Sequence, residues 1–533
     1  MDQLNQQVDD ARKRVPLENL DDTNSLNWFT IRTLLTSGTG FMTDAYVPPS
    51  RYYDVFIINL VTPMLGYVYV YALHLLLLTS THIQYFSDAG NIMPANIEGA
   101  VKGMASVGTL IGQLVFGFLG DALGRQKIYG LELLIIIFAT VCCAMSSSTV
   151  RGVSVFGFLG FWRLILGIGV GGDYPMSATI TSEWAAAGRR GRNMALIFSM
   201  QGIGNLAASL VTLALLAIFK DAIEADVMNL DYVWRLAIGV GAIPAAATVY
   251  LRLTMPESPR YALDVQGDSA KAAKAVNIQM GKSLEEQTVV DQGFTSKKNH
   301  SKDFRDYFSQ WKNLKILLGT SLSWFFLDIA FYGLNLNNSY ILSAIGYSKK
   351  ATAFDTLWAT VVGNIIISCL GFVPGYFVTV ALVDRWGRKK IQIMGFSILT
   401  VLFIVLSAGF YQIKNEAVGL FITIFTLAQF FFNFGPNSTT FIVPGEVFPT
   451  KVRASAHGIS AASGKLGAII ATFGFNSMVE IGDTYSGQHA FLPQTLGIFA
   501  VIMFLGLLST FLIPETMGRS LDEFEEDHQE NNV

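Results

Sequence analysis

Apolar residues gather along this chain in blocks of membrane-spanning length, parted by short polar loops. A helix needs about 20 apolar residues to cross a hydrocarbon core about 30 Å thick. The blocks predict such helices near residues 99–119, 128–145, 155–182, 193–219 and 233–253. Six more are predicted near 314–342, 357–383, 391–411, 418–443, 455–479 and 495–513. With a first helix over about 30–70, the count is six plus six: an N-terminal half at 28–254 and a C-terminal half at 313–513. Residues 255–312 between them are rich in Lys, Gln, Asp and Ser. That stretch is too polar for a membrane and too short for a second globular domain, so it is expected to be a linker with some helix. Polar tails at 1–27 and 514–533 flank the halves, the second of them acidic. The expected fold class is an all-α polytopic membrane protein with twelve transmembrane helices.

Composition agrees. Of 533 residues, 51% are hydrophobic and only 14% charged, against about 25% charged in a soluble domain. A net charge of −3 gives no argument for nucleic acid. Cys142, Cys143 and Cys369 all lie in apolar runs, which excludes a disulfide scaffold and any familiar metal spacing. No metal or other cofactor is expected. The N-terminus is polar and lacks an apolar core, so no cleaved signal peptide is expected. No Gly-rich phosphate loop or nucleophile–His–acid set occurs and the six His are scattered, so no catalytic residue is assigned and an enzyme is the least favoured class.

Basic residues fix the expected topology. The loops after helices 2, 4, 8 and 10 carry Arg125 and Lys127; Arg189, Arg190 and Arg192; Arg385, Arg388, Lys389 and Lys390; and Lys451 and Arg453. The opposite loops hold only scattered cations. The positive-inside rule then puts both termini and the central stretch in the cytoplasm.

The halves repeat. GFLGDALGRQK (117–127) pairs with ALVDRWGRKK (381–390), and TSEWAAAGRRGR (181–192) with PGEVFPTKVR (444–453). The same 263 residues separate Asp121 from Asp384 and Glu183 from Glu446. MPESPR (255–260) echoes IPETMGR (513–519). One shared offset argues for two related halves about an axis along the membrane normal, with the site between them at the midplane.

Charge at membrane depth marks that site. Residues 171–183, GGDYPMSATITSE, put two carboxylates and a phenol into an otherwise apolar block. An ionisable group there costs roughly 2.5–3.5 kcal/mol on the lenient insertion scale, so it faces protein or a watery path. Trp324, Asp328 and Tyr332 recur every fourth residue and share one helix face. Tyr174 and Asn437 are again 263 apart, a phenol and an amide at matched positions. Lys465 lies among apolar residues, where a long side chain can snorkel to the membrane surface.

These motifs carry a resemblance. GDALGRQK and VDRWGRKK resemble the cytoplasmic-loop motif of the major facilitator superfamily, which implies that fold and conformational roles for Asp121, Arg125, Glu183, Asp384, Arg388 and Glu446. PESPR and PET resemble marks shared with sugar porters. GGDYPMSATITSE resembles the signature of the phosphate:proton symporters of fungi and plants, and so do YGLELLIII (129–137), SWFFLDIAFYGLNL (323–336), FFNFGPNSTTFIVPGEVFPT (431–450) and AHGISAASGKLGAIIA (456–471). The resemblance implies that Tyr174, Gln201, Trp324, Asp328, Tyr332 and Asn437 hold phosphate, with Asn433 as the alternative to Asn437. It implies a cation near the site at Lys465. Asp44, Glu132 and Asp173 are expected to form a proton route that Asp328 couples to phosphate. Lipid, phosphate and protons are then the partners, and the plasma membrane the location. The alternatives are a proton-coupled carrier of a sugar or glycerophosphodiester, and a non-transporting phosphate receptor.

The sequence departs from that family in two places. FMTDAY (41–46) and DVFIINL (54–60) are parted by VPPSRYY (47–53), and the resemblance lapses again over 71–86. Two prolines and an arginine inside a spanning helix remove hydrogen bonds and bury a charge. Residues 47–53 read as retained intron or gene-model sequence, the alternative being a real extracellular or re-entrant excursion.

Overall fold

The computed structural model describes residues 28–46, 95–146, 155–280, 300–335, 341–342, 345, 347, 352–486, 491–521 and 523. Twelve long helical stretches occupy the expected positions: α1 (Trp28–Tyr46), α2 (Ala95–Leu123), α3 (Arg125–Ala144), α4 (Val155–Trp184), α5 (Arg190–Ile218) and α6 (Val227–Leu253). The second set is α7 (Trp311–Asn335), α8 (Ala353–Trp386), α9 (Arg388–Ala408), α10 (Val418–Val447), α11 (Arg453–Ser486) and α12 (Leu492–Thr510). Among the described residues, ten of these are long and apolar enough to cross a membrane; α1 and α11 fill the other two places. No strand occurs among the described residues.

Several elements start earlier or run longer than the apolar blocks suggest. Helix α5 begins at Arg190 and not near 193, because Arg190 finds partners inside the protein and belongs to the first turn. Helix α11 continues to Ser486. Helix α10 breaks where Gly435 and Pro436 interrupt it, leaving Asn437 in the first turn of the second piece. Pro436 has no N–H to give the ladder, so a new helix start is where it is tolerated. The central stretch contains three short helices, Pro259–Asp264, Ser269–Met280 and His300–Phe308. Helix α1 is described as far as Tyr46, and residues 47–53 and 71–86 lie outside the described residues.

The packing repeats as the sequence does. Helix α2 lies against α4 and α11, α1 against α5, and α3 against α6. Six helices on, α8 lies against α10 and α5, α7 against α11, and α9 against α12. The pairs α2–α11 and α5–α8 are thus one contact seen twice, each joining the two halves. Leu134, Phe138, Val401 and Phe504 point outward, as lipid-facing residues do, while Glu132, Asp173, Arg252, Asp328 and Lys465 are fully buried. Apolar outside and charged inside is the arrangement hydrocarbon demands.

Candidate functional site

Buried charge collects near mid-membrane. Asp173 lies ten residues before Glu183 and Lys465 twelve after Arg453, about 15–18 Å up their helices at 1.5 Å per residue. The four-residue spacing on α7 puts Trp324, Asp328 and Tyr332 on one face, all buried. Lys465 Nζ on α11 donates to Asp328 Oδ2 at 2.9 Å and to the Tyr332 hydroxyl at 2.8 Å. Lys465 therefore points inward, not to the membrane surface. Trp324 meets His457 edge-on with ring centroids 5.5 Å apart. His457 in turn contacts Phe441, and Phe441 contacts Tyr174.

A second, uncharged chain joins the halves. Gln201 on α5 donates to the Tyr174 hydroxyl. The Tyr376 hydroxyl of α8 donates to Gln201 Oε1 at 3.0 Å and accepts from Asn437 Nδ2 at 2.8 Å. Asn437 Nδ2 also reaches Asn433 Oδ1 at 2.7 Å, so Asn433 orients Asn437 from one turn below.

The third group lies within the N-terminal half. Arg252 Nη1 on α6 donates to Asp173 Oδ1 at 2.6 Å and lies 3.5 Å from Glu132 Oε1. Its guanidinium stacks 4.2 Å from the Tyr129 ring centroid. The Tyr129 hydroxyl donates to Ser37 on α1, and Ser177 to Asp173. Two carboxylates thus share one cation, and a single added proton brings the cluster to neutrality. Asp44 falls in α1, but its side chain lies outside the described residues.

At the end of the bundle carrying the basic loops, the six repeated residues form two copies of one latch. Gly124 (φ +104°) and Gly387 (φ +93°) make the turns into α3 and α9 with a left-handed backbone that a side chain would strain. Arg125 then pairs with Asp121 and Glu183, both at 3.0 Å. Arg388 pairs with Asp384 at 2.9 Å and Glu446 at 2.7 Å. Across the halves, Asp121 accepts from the backbone N–H groups of Ala454 and Ser455, at 3.2 and 2.7 Å. Asp384 accepts from the Arg192 N–H at 2.9 Å. Each acid caps the positive end of a helix from the other half. Arg125 Nη2 also donates to Thr450 O at 2.8 Å, and Arg453 Nη1 lies 3.2 Å from Glu183. The basic end is closed. Glu257 and Glu515 complete the copies, accepting from the backbone of Arg125 and Arg388. Burial raises the Glu257 carboxyl above its ordinary value, with Arg125 pulling the other way.

Gly191 packs tightly here: a Cβ would stand 2.1 Å from Arg388 Nη2 and 2.5 Å from Asp384 Oδ1. Gly191→Ala is expected to loosen the α5–α8 latch by about 1–2 kcal/mol, roughly a tenfold change in the population ratio. Spin labels at the basic ends of α5 and α8 should report a larger separation; an unchanged distance distribution would count against this.

Sequence reasoning missed Arg252, Tyr376, His457 and Arg453 as members of these groups. The repeat offset could have found two of them, since it pairs Arg453 with Arg190 and Tyr376 with Gln113.

Residues 50–528 match the sugar (and other) transporter family. The chain belongs to that family. It is 42% identical to a repressible high-affinity phosphate permease of Neurospora crassa, over 96% of this chain and 89% of that one. It is 40% identical to an inorganic phosphate transporter of Saccharomyces cerevisiae, over 97% and 87%. A probable inorganic phosphate transporter of Arabidopsis thaliana is also 40% identical, over 94% of each chain. Among solved structures, the major facilitator superfamily proton:xylose symporter bound to 6-bromo-6-deoxy-D-glucose superposes with a TM-score of 0.71. The pair are 22% identical, covering 93% of this chain and 98% of that one. The partially occluded inward-open xylose transporter of E. coli scores 0.62 at 19% identity, covering 90% and 98%. Those likenesses establish the major facilitator fold. This multi-pass membrane protein is a secondary transporter, not an enzyme.

Proposed function

We propose that the chain imports inorganic phosphate with protons across the plasma membrane. The supporting observation is the buried Asp328–Lys465–Tyr332 group facing a bundle whose relatives are named as phosphate transporters. A lysine supplies the positive charge an anion needs, and a paired carboxylate makes it conditional. A proton on Asp328 releases Lys465 from its ion pair, so ammonium and anion meet only when the proton is present. Tyr174, Gln201, Trp324, Tyr332 and Asn437 supply neutral donors around the anion.

The protonated Asp328 also selects. Its carbonyl oxygen accepts from a hydroxyl of dihydrogen phosphate, whereas sulfate has none and leaves that buried acceptor unpaired. Sites built on such a hydrogen bond reject the analogue lacking it by a factor on the order of 10⁴.

In this reading the halves are residues 28–254 and 313–513, with both tails and the central 255–312 in the cytoplasm. The closed basic end is then the cytoplasmic gate, shut while the site faces outward. Rocking of the halves opens it inward. Glu132 and Asp173, with Asp44, carry the proton, using the vacancy that one arginine leaves between two acids.

The test is phosphate uptake into proteoliposomes under an inward proton gradient, comparing the full chain with one lacking Val47–Tyr53. Accumulation by the full chain, abolished by a protonophore, is the expected result. Activity in the shortened chain alone would make 47–53 an inactivating insertion. No uptake by either would overturn the reading.

A further inference from the structure

Gln113 on α2 is fully buried, and among the described residues neither polar atom of its amide has a hydrogen-bond partner. Native proteins seldom leave a buried polar group so. Gln113 and Tyr376 stand at the repeat offset, 263 residues apart, in α2 and α8. Tyr376 packs on Gly202, where a Cβ would lie 2.8 Å from its ring, and its hydroxyl joins Gln201 to Asn437. The same offset carries Gly202 to Lys465, Gln201 to Gly464 and Asn437 to Tyr174. The place of Tyr376 beside Gln201, Gly202 and Asn437 thus maps onto a place for Gln113 beside Gly464, Lys465 and Tyr174.

The helix register agrees. The Gln113 carbonyl lies against Gly458, while Gly103 lies against Phe473, so α2 and α11 run antiparallel. Helical side chains lean towards their own N-terminus, here from the level of Gly458 towards that of Gly464. A Cβ on Gly464 would stand 2.6 Å from Trp324 and 2.8 Å from Asp328 Oδ2. The other oxygen, Asp328 Oδ1, accepts no hydrogen bond among the described residues.

We propose that Gln113 is a further phosphate-contacting residue, reaching from α2 towards the group that Asp328 and Lys465 form. This rests on the phosphate reading above. Its Nε2–H donates to an anion oxygen while Oε1 accepts from a phosphate hydroxyl. A second acceptor for hydroxyl sharpens rejection of sulfate.

The experiment takes the full chain and Gln113→Leu, with Gln113→Met as a second apolar replacement should the first fail to fold. Phosphate uptake in proteoliposomes and thermal unfolding with and without inorganic phosphate are read together. The variant should raise KM about tenfold or more, as loss of a hydrogen bond to a charged group implies. It should also lose most of the phosphate-induced rise in Tm. Its phosphate-free Tm should stay or rise, because an apolar group of similar shape replaces an unpaired amide. A folded variant with the original KM and the original phosphate-induced shift would overturn the assignment, leaving the amide to a buried water. If neither the wild-type chain nor one lacking Val47–Tyr53 accumulates phosphate or is stabilised by it, the phosphate reading falls and this assignment with it, so chains with Gln113 intact tell the two failures apart.

Discussion

Asp328→Asn is expected to leave phosphate exchange running while proton-driven accumulation falls away. The amide keeps the size of the side chain and can still face Lys465, but it cannot take up and release a proton. Lys465 Nζ, now held at 2.9 Å from Oδ2, would be left uncompensated and permanently open to an anion. Preloaded vesicles should then exchange labelled phosphate for unlabelled, with little dependence on pH. Net uptake against a gradient should fall by about two to four orders of magnitude, the scale set by removing one partner of a buried pair at 3–5 kcal/mol. Accumulation that stays proton-driven in this variant would remove Asp328 from the coupling step. Lys465→Met makes the complementary case: binding itself should fail.

Arg252→Met should be the most damaging change in the N-terminal half. The arginine neutralises two buried carboxylates and stacks on Tyr129, and neither acid is exposed. Its removal strands negative charge in a protein interior, for which the cost is about 3–5 kcal/mol. The expected readout is a large drop in thermal midpoint in detergent. Adding Asp173→Asn and Glu132→Gln to Arg252→Met should restore the fold and not the transport. If Arg252→Met kept both midpoint and uptake, the cluster would be neither a structural necessity nor part of the proton route.

Much of this was legible because a membrane makes sequence simple. Apolar blocks had to be helices, and acids inside them had to face inward, so Asp173, Asp328 and Glu132 stood out from their surroundings. The repeat supplied the latch, since Asp121 and Asp384 kept both spacing and neighbours. Arg252 was hidden by its position near the end of an apolar block, next to a polar stretch, where a cation looks like an ordinary anchor. Its role depends on α6 passing α3, which no local pattern encodes. Tyr376 and His457 were hidden by chemistry, because aromatic rings in membrane helices are too common to signal by themselves. Lys465 admitted two directions, and the hydrogen bonds to Asp328 and Tyr332 decide between them. The break in α10 at Gly435–Pro436 could have been read from that dipeptide, but the apolar run on both sides hid it.

The two latches share a plan but not a strength. Asp121 is wholly enclosed and takes two backbone N–H groups, whereas Asp384 keeps 21% of its side chain exposed and takes one. Solvent can compete for the second acid and scarcely for the first. Separation of the halves should therefore begin along α5 and α8 and turn about α2 and α11, like a door on a hinge, with ions in the surrounding water acting on the free edge alone.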